Sequence, residues 1–243
     1  MTGRHVVVSG GGTGIGLATA EAFAADGDRV VLLGRREAVL RKAAESIGPA
    51  ASWFAGDLSE PADVAAARDF ITESGEVDVL VANAGGNVAP SHDGTLTGIA
   101  DSYRRNFEAN VLTAVLLTEA LLPHMRRPGG RIVQVSSIAA LRGPGSYGGT
   151  KAAVNTYTFD LAQRLGADGV TVNAVSPGFV TDTEFFGDRA TEEFVASRVR
   201  QSLTGQPGRP SDIAAAIRYL ASPEAAYMTG QIHHVNGGAA LGR

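Results

Sequence analysis

The chain has 243 residues and not one cysteine. It can therefore form no disulfide, and no thiolate can serve it as nucleophile or metal ligand. Such a chain suits a reducing compartment, and a cytoplasmic location is expected. Aromatic residues are scarce, at 6% against 44% hydrophobic residues in all. The core must then be aliphatic, and a chain of this length can bury one without staples. No apolar run is long enough to span a bilayer, so no membrane segment is expected. The richest stretch, 111–122, is broken by Thr113, Thr118 and Glu119. Only Val6, Val7 and Val8 precede the first glycines, too short a run for a secretory signal. Positive charge is not in excess either. The net charge of −4 leaves no footprint for nucleic acid. His5, His124, His233 and His234 show no ligand spacing with acidic neighbours, so no metal is expected. Linkers, internal repeats and low-complexity tracts are missing as well, which argues for one domain.

What is present alternates. Short β-branched runs at 5–9, 29–33, 51–55, 77–82, 131–136, 170–175 and 231–235 read as strands. Helical patterns separate them at 15–25, 37–47, 61–73, 99–125, 147–165 and 211–220. Pro61 suits a first helical turn, with Ser59 available as its cap. Several strands are aliphatic throughout, as strands covered on both faces must be. The pattern predicts an α/β fold: a doubly wound parallel sheet of seven strands between two helical layers. Right-handed crossovers would put the strand C-termini along one edge, where a ligand crevice forms.

Two segments carry chemistry. The first strand runs into Gly10-Gly11-Gly12-Thr13-Gly14-Ile15-Gly16 and then an alanine-rich helix. Glycines let the backbone turn tightly and approach a ligand, and the helix amides can then face a pyrophosphate. In the second, Tyr147 and Lys151 stand four residues apart, ten after Ser137. On a helix that spacing sets phenol and ammonium on one face. A neighbouring ammonium should lower the phenol pKa and poise it for proton transfer. Ser136 or Ser137 could hydrogen-bond the oxygen that gains the proton. Ser137 is the better candidate, because Ser136 more plausibly ends the strand.

Together these segments resemble the short-chain dehydrogenase/reductase family, and further motifs follow in order. Asp57-Leu58, Asn83-Ala84-Gly85, Asn110, Pro177-Gly178 with Thr181 and Thr183, Gly230-Gln231 and Asn236-Gly237-Gly238 stand where that family carries its own. The resemblance covers essentially the whole chain. It implies a Rossmann-type fold over 1–243, a catalytic set of Asn110, Ser137, Tyr147 and Lys151, and a substrate lid at about 178–208. The implied cofactor contacts are Gly10, Gly12, Thr13, Gly14, Ile15, Gly16, Arg35, Arg36, Asp57, Leu58, Asn83, Ala84, Gly85, Tyr147, Lys151, Pro177, Gly178, Val180, Thr181 and Thr183. The implied pocket is Val88, Ile138, Ala139, Phe179, Phe185 and Phe186, with His92 and Asp93 nearby. By the same resemblance Lys151 would hold the nicotinamide ribose, and Asn110 would anchor a water for proton resupply. NADP(H) is the expected cofactor, because Gly34 stands where an NAD site presents an acid and Arg35 and Arg36 follow. NAD(H) stays open, since Thr13 puts no second basic residue in the glycine turn.

The implied activity is hydride exchange between the cofactor and a small carbonyl or alcohol, resembling the 3-oxoacyl-thioester reductases. The other reading is a catalytically silent nicotinamide sensor on the same fold. An epimerase or dehydratase of the longer sister group would need a larger C-terminal domain than remains here. A homotetramer or homodimer is implied, paired through the long helices and the last strand. The loop 139–146 is shorter than the family's, and Gly143, Pro144 and Gly145 are expected to turn it tightly.

Overall fold

The computed structural model describes residues 3–143, 145–187 and 190–241. Pro144, one of the expected turn residues, and positions 188–189 of the expected lid lie outside them. Seven strands are seen: β1 (His5–Ser9), β2 (Arg29–Gly34), β3 (Ala51–Ala55), β4 (Val79–Ala82), β5 (Arg131–Val135), β6 (Thr171–Pro177) and β7 (Ile232–Val235). They form one sheet in the order β3-β2-β1-β4-β5-β6-β7, with every pairing parallel. This is the doubly wound, three-layer α/β/α fold expected from the alternation.

The strand pattern explains the layers. Successive side chains point to opposite faces of a strand. Val6 and Val8 of β1 enter one apolar cluster with Val30, Leu32, Val79 and Val81, and Val7 enters the other with Val31, Leu33 and Leu80. The first cluster is closed by α1 (Gly14–Ala25), α2 (Glu37–Ile47) and α9 (Pro210–Leu220), through Ala20, Phe23, Leu40, Ile213 and Ile217. The second is closed by α3 (Pro61–Thr72), α5 (Thr113–Leu121) and α7 (Gly145–Leu165), through Val64, Ile71, Leu117 and Leu161. The chain reverses its direction of winding between β1 and β4. The sheet edge splits open there, where a crevice is expected.

Four local expectations are corrected. The helix expected over 99–125 is interrupted. It begins as α4 (Leu96–Phe107), passes through a π-helical turn (Glu108–Leu112), resumes as α5 and ends in a 3₁₀ turn (Leu122–His124). Asn110 sits in the wide turn, and its side-chain amide donates to Asn106 O at 2.9 Å. A side chain entering the main-chain ladder is a usual cause of such a turn. Pro123 lacks an amide, which accounts for the tightened end. Ser59 does not cap α3. Its hydroxyl donates to Asp57 Oδ1 at 2.7 Å, and Glu60 is the cap residue. β4 starts two residues late, because Val77 pairs only in a bridge with Met125. Finally, two helices appear where none was expected: α6 (Ala139–Arg142) and α8 (Glu192–Val199). The second is capped by the Thr191 hydroxyl, which accepts from Phe194 N at 3.3 Å. Among the described residues no helix is long and apolar enough to cross a membrane.

Candidate active site

A cleft of about 1200 Å³ runs along the C-terminal edge of the sheet, from the turn after β1 to α8. At one end lies the glycine turn. Gly10 has a φ of +65°, and a Cβ there would meet Asn83 Nδ2 at 2.8 Å. A Cβ on Gly16 would lie 2.1 Å from Gly10 O. Both positions need glycine to let α1 start against the turn. Ser9 staples the turn to the loop after β4: its Oγ accepts from Asn83 N and Ala84 N, both at 2.9 Å. Asn83 returns the contact, donating to Ser9 O at 2.9 Å. Gly10, Gly12, Thr13, Gly14 and Ile15 line the cleft. Gly16 does not; its part is the packing just described. A surface free of Cβ atoms beside a helix N-terminus fits a dinucleotide pyrophosphate.

The next stretch of wall is formed by the ends of β2 and β3. Arg35 approaches Asp57 (Nη1–Oδ2 4.0 Å), and Arg36 pairs with Glu184 at 2.6 Å. Hydrogen bonds from the Ser59 hydroxyl and amide hold the Asp57 carboxyl below its usual range, with Arg35 assisting. Asp57 and Leu58 both line the cleft, but the Leu58 side chain belongs to the second core. The two guanidinium groups stand where the sequence placed them, and one already holds a carboxylate.

The four residues expected to be catalytic converge deeper in. Ser137 stands beside the Tyr147 phenol and favours its charged form, while its Oγ accepts from Ala139 N at 3.1 Å. Ser136 turns away, its Oγ donating to Lys151 O at 3.3 Å. Lys151 is 4% exposed. Its Nζ donates to Val135 O at 2.9 Å and stands 5.9 Å from the centre of the Tyr147 ring. Asn110 holds the loop beside it: Nδ2 donates to Gly86 O at 2.8 Å, and Oδ1 accepts from Gly86 N at 3.0 Å. A Cβ on Gly85 would fall 2.6 Å from Asn110 Oδ1 and 3.4 Å from Lys151 Nζ, so the two side chains flank one point of the backbone. The short loop thus brings Ser137 to Tyr147 through α6 and a start of α7 two residues before the tyrosine.

The electrostatics correct one expectation. Lysine does not depress the phenol here. Burial pushes Tyr147 up to about 12, only partly offset by the Ser137 hydrogen bond. Burial also brings Lys151 down to about 8. Both groups are shielded from water, which disfavours whichever form is charged. The ammonium meanwhile spends a proton on a main-chain carbonyl rather than on the phenol.

Val88, Ile138, Ala139, Phe179, Phe185 and Phe186 all line the far end of the cleft. Phe185 lies 5.5 Å from Tyr147 between ring centres. Pro177, Gly178, Val180 and Thr183 line it too, and Thr183 Cγ2 would be 3.3 Å from a Cβ on Gly14. Thr181 is not a lining residue. Its amide donates to Gly208 O at 3.0 Å and fastens the two ends of the 178–208 segment together. His92 and Asp93 are outside the cleft: Asp93 accepts from Thr95 N at 2.9 Å in an exposed turn. Sequence reasoning missed Phe194, Arg142 and Arg198, which also line the wall. It missed Asn106 as well, a fully buried residue on α4. Asn106 Oδ1 accepts from Val88 N at 3.1 Å, and Nδ2 donates to Ala89 O at 3.2 Å and to Ser146 Oγ at 3.1 Å. Its spacing of four from Asn110, on the same helix face, was the available signal.

A family model described as enoyl-(acyl carrier protein) reductase matches residues 10–240. The chain belongs to the short-chain dehydrogenase/reductase family. It is an oxidoreductase of that family. Nodulation protein G of Rhizobium sp. (strain N33) is 36% identical over 99% of this chain and 98% of its own. The short-chain reductase protein NovJ of Streptomyces niveus is 36% identical over 96% and 92%. The 3-oxoacyl-[acyl-carrier-protein] reductase FabG of Vibrio cholerae serotype O1 is 34% identical over 98% of both. Likeness therefore runs end to end through this family, across relatives with quite different names.

Proposed function

We propose that this protein exchanges hydride reversibly between NADP(H) and a ketone or secondary alcohol. The observation that carries the reading is the gathering of Ser137, Tyr147 and buried Lys151, its Nζ 5.9 Å from the tyrosine ring, in one cleft with the glycine turn. The turn from Gly10 to Gly16 would hold the pyrophosphate, Asp57 and Leu58 the adenine, and Asn83 to Gly85 with Lys151 the nicotinamide half. Arg35 and Arg36 would take the 2′-phosphate, with Pro177, Gly178, Val180 and Thr183 closing over the site. Bound there, NADPH would supply a hydride, one hydrogen nucleus with two electrons, to the carbonyl carbon.

The protein's own residues supply the proton. Burial keeps Tyr147 neutral, so the phenol can give its proton to the carbonyl oxygen as the C–H bond forms. Ser137 donates to the same oxygen and stabilises its developing charge. Lys151, brought down to about 8, can return a proton to the phenol, and Asn110 orders the route by which solvent resupplies it. The segment 178–208 acts as the lid and excludes water. A hydrophobic ketone such as a 3-oxoacyl thioester suits the aromatic wall, and the printed name of FabG supports that choice. The location is taken as cytoplasmic. Copies would pair through α4 and α7, where Tyr103, Phe107 and Phe159 are exposed.

The test is NADPH consumption over a panel of ketones and β-ketothioesters. Turnover is expected, and Arg36→Ala should weaken NADPH binding about tenfold while leaving NADH unchanged, the usual worth of a hydrogen bond to charge. Tight binding without turnover on any ketone would favour the sensor instead.

A further inference from the structure

Aromatic contacts connect Tyr147 to a cluster of rings. Phe185 lies 5.5 Å from Tyr147, Phe186 4.8 Å from Phe185, and Phe194 5.2 Å from Phe186, with Phe179 packed against both Phe186 and Phe194. The cluster also meets a cation: the Arg198 guanidinium lies 4.9 Å from the centre of the Phe194 ring. Phe185, Phe186 and Phe194 are half-buried and line the cleft, as Arg198 does. A second guanidinium stands close by. Arg142 Nη2 donates to Gln201 Oε1 at 3.2 Å, and Gln201 Nε2 reaches back to Ser197 O at 3.4 Å, beside Arg198 in the chain.

Neither arginine has a carboxylate partner among the described residues. The acids of the cleft are engaged elsewhere. Asp57 faces Arg35, Glu184 is paired with Arg36, and Asp212 accepts from Arg209 N. Glu108 also lines the cleft, on the π-helical turn. An apolar wall that begins at a proton donor and ends at two guanidinium groups is a template for a particular shape of ligand.

We propose that the substrate is an amphipathic ketone: a carbonyl at Tyr147, an apolar body along Phe185, Phe186 and Phe194, and an anionic oxygen group held by Arg142 and Arg198. The inference rests on the proposed activity and narrows its substrate class. Guanidinium groups recognise carboxylate and phosphate oxygens alike through paired N–H donors. Phe194 fixes the Arg198 plane by stacking, which lowers the entropy lost on binding. The apolar body supplies binding through burial, and the charged end sets which way round the molecule lies.

The experiment uses acetylphenyl alkanoates of increasing chain length, each paired with its methyl ester and with the alkyl phosphate of the same length. kcat/KM is measured with NADPH, and binding of the matching ethylphenyl alkanoate, which cannot react, is measured by calorimetry. The acid or the phosphate at the best length should exceed its ester by on the order of tenfold in kcat/KM, chiefly through KM, the expected size for a hydrogen bond to charge. Arg142→Ala and Arg198→Ala should each erase most of that advantage, lowering the acid by about tenfold more than the ester. The phosphate arm tells which oxygen group is preferred. Esters that match their acids, or arginine variants that lower both alike, overturn the proposal. Reduction of the esters alone would refute the anionic class and keep the reductase. Arginine-dependent binding of the unreactive acid with no ketone turned over would refute the reductase and keep the anionic site.

Discussion

Ser136 and Ser137 are neighbours in the chain with opposite tasks. One hydroxyl is spent on the main chain of α7, and the other meets the phenol. Ser137→Ala should therefore lower kcat about a hundredfold, the usual loss of one oxyanion donor. Ser136→Ala should leave kcat near its starting value and lower stability by about 1 kcal/mol in urea unfolding. Equal effects on kcat would remove Ser137 from its assigned place. The neighbouring pair Tyr147 and Lys151 makes a pH prediction. Tyr147, at about 12, holds its proton across the working range. Lys151, at about 8, is charged below that pH and neutral above it. Reduction takes one proton from Tyr147, which Lys151 replaces, so its kcat/KM should be level at lower pH and fall as pH rises through about 8. A profile that rises through the same window would contradict this proton route. Tyr147 and Lys151 stood out by their spacing of four, and Ser137 by the family resemblance and by Ser136 standing at the strand end. Their electrostatics were not legible, because burial decides the sign and a sequence shows no burial.

At the scale of elements, the interrupted helix from Leu96 to His124 matters most. Its wide turn places Asn110 against Gly86, and one turn earlier Asn106 ties the Val88–Ala89 stretch to Ser146. Ser146 directly precedes Tyr147, so a buried carboxamide joins the pocket wall to the base of the proposed proton donor. Asn106→Leu would leave the Val88 amide without this acceptor, while the Ala89 carbonyl keeps the Ser102 hydroxyl at 3.0 Å. The expected loss is about 1–3 kcal/mol in urea unfolding, the cost of one unsatisfied buried group. A variant as stable as the parent would show the network to be idle. The sequence read this region as one long helix because its apolar period continues across the break. The cause of the break is a side chain entering the hydrogen-bond ladder, which periodicity cannot register. α8 was hidden for a related reason. It has no fully buried residue and rests on the aromatic group around Phe194, so its pattern is weak.

Across the whole molecule, the sheet was the easiest part to read. Val6-Val7-Val8 and Val79-Leu80-Val81 are apolar at every position because helices cover both faces, and that signature survives in the bare chain. Parallel order follows from the alternation, and the crevice follows from the order. The cofactor end was legible through its glycines, which report backbone contacts directly. The substrate end was legible only in part: the six expected pocket residues line the cleft, but Arg142 on α6 and Arg198 on α8, far apart in sequence, were not foreseen. The account as a whole depends on Tyr147 donating the proton that accompanies hydride transfer. Tyr147→Phe removes one oxygen and keeps the ring against Phe185. Its single-turnover rate of ketone reduction, measured beside its affinity for NADPH, is the most direct test. The account predicts unchanged affinity and a rate lowered by at least about a hundredfold, the lower range for a lost general acid. A variant that binds NADPH and reduces ketone at the parent rate would contradict it.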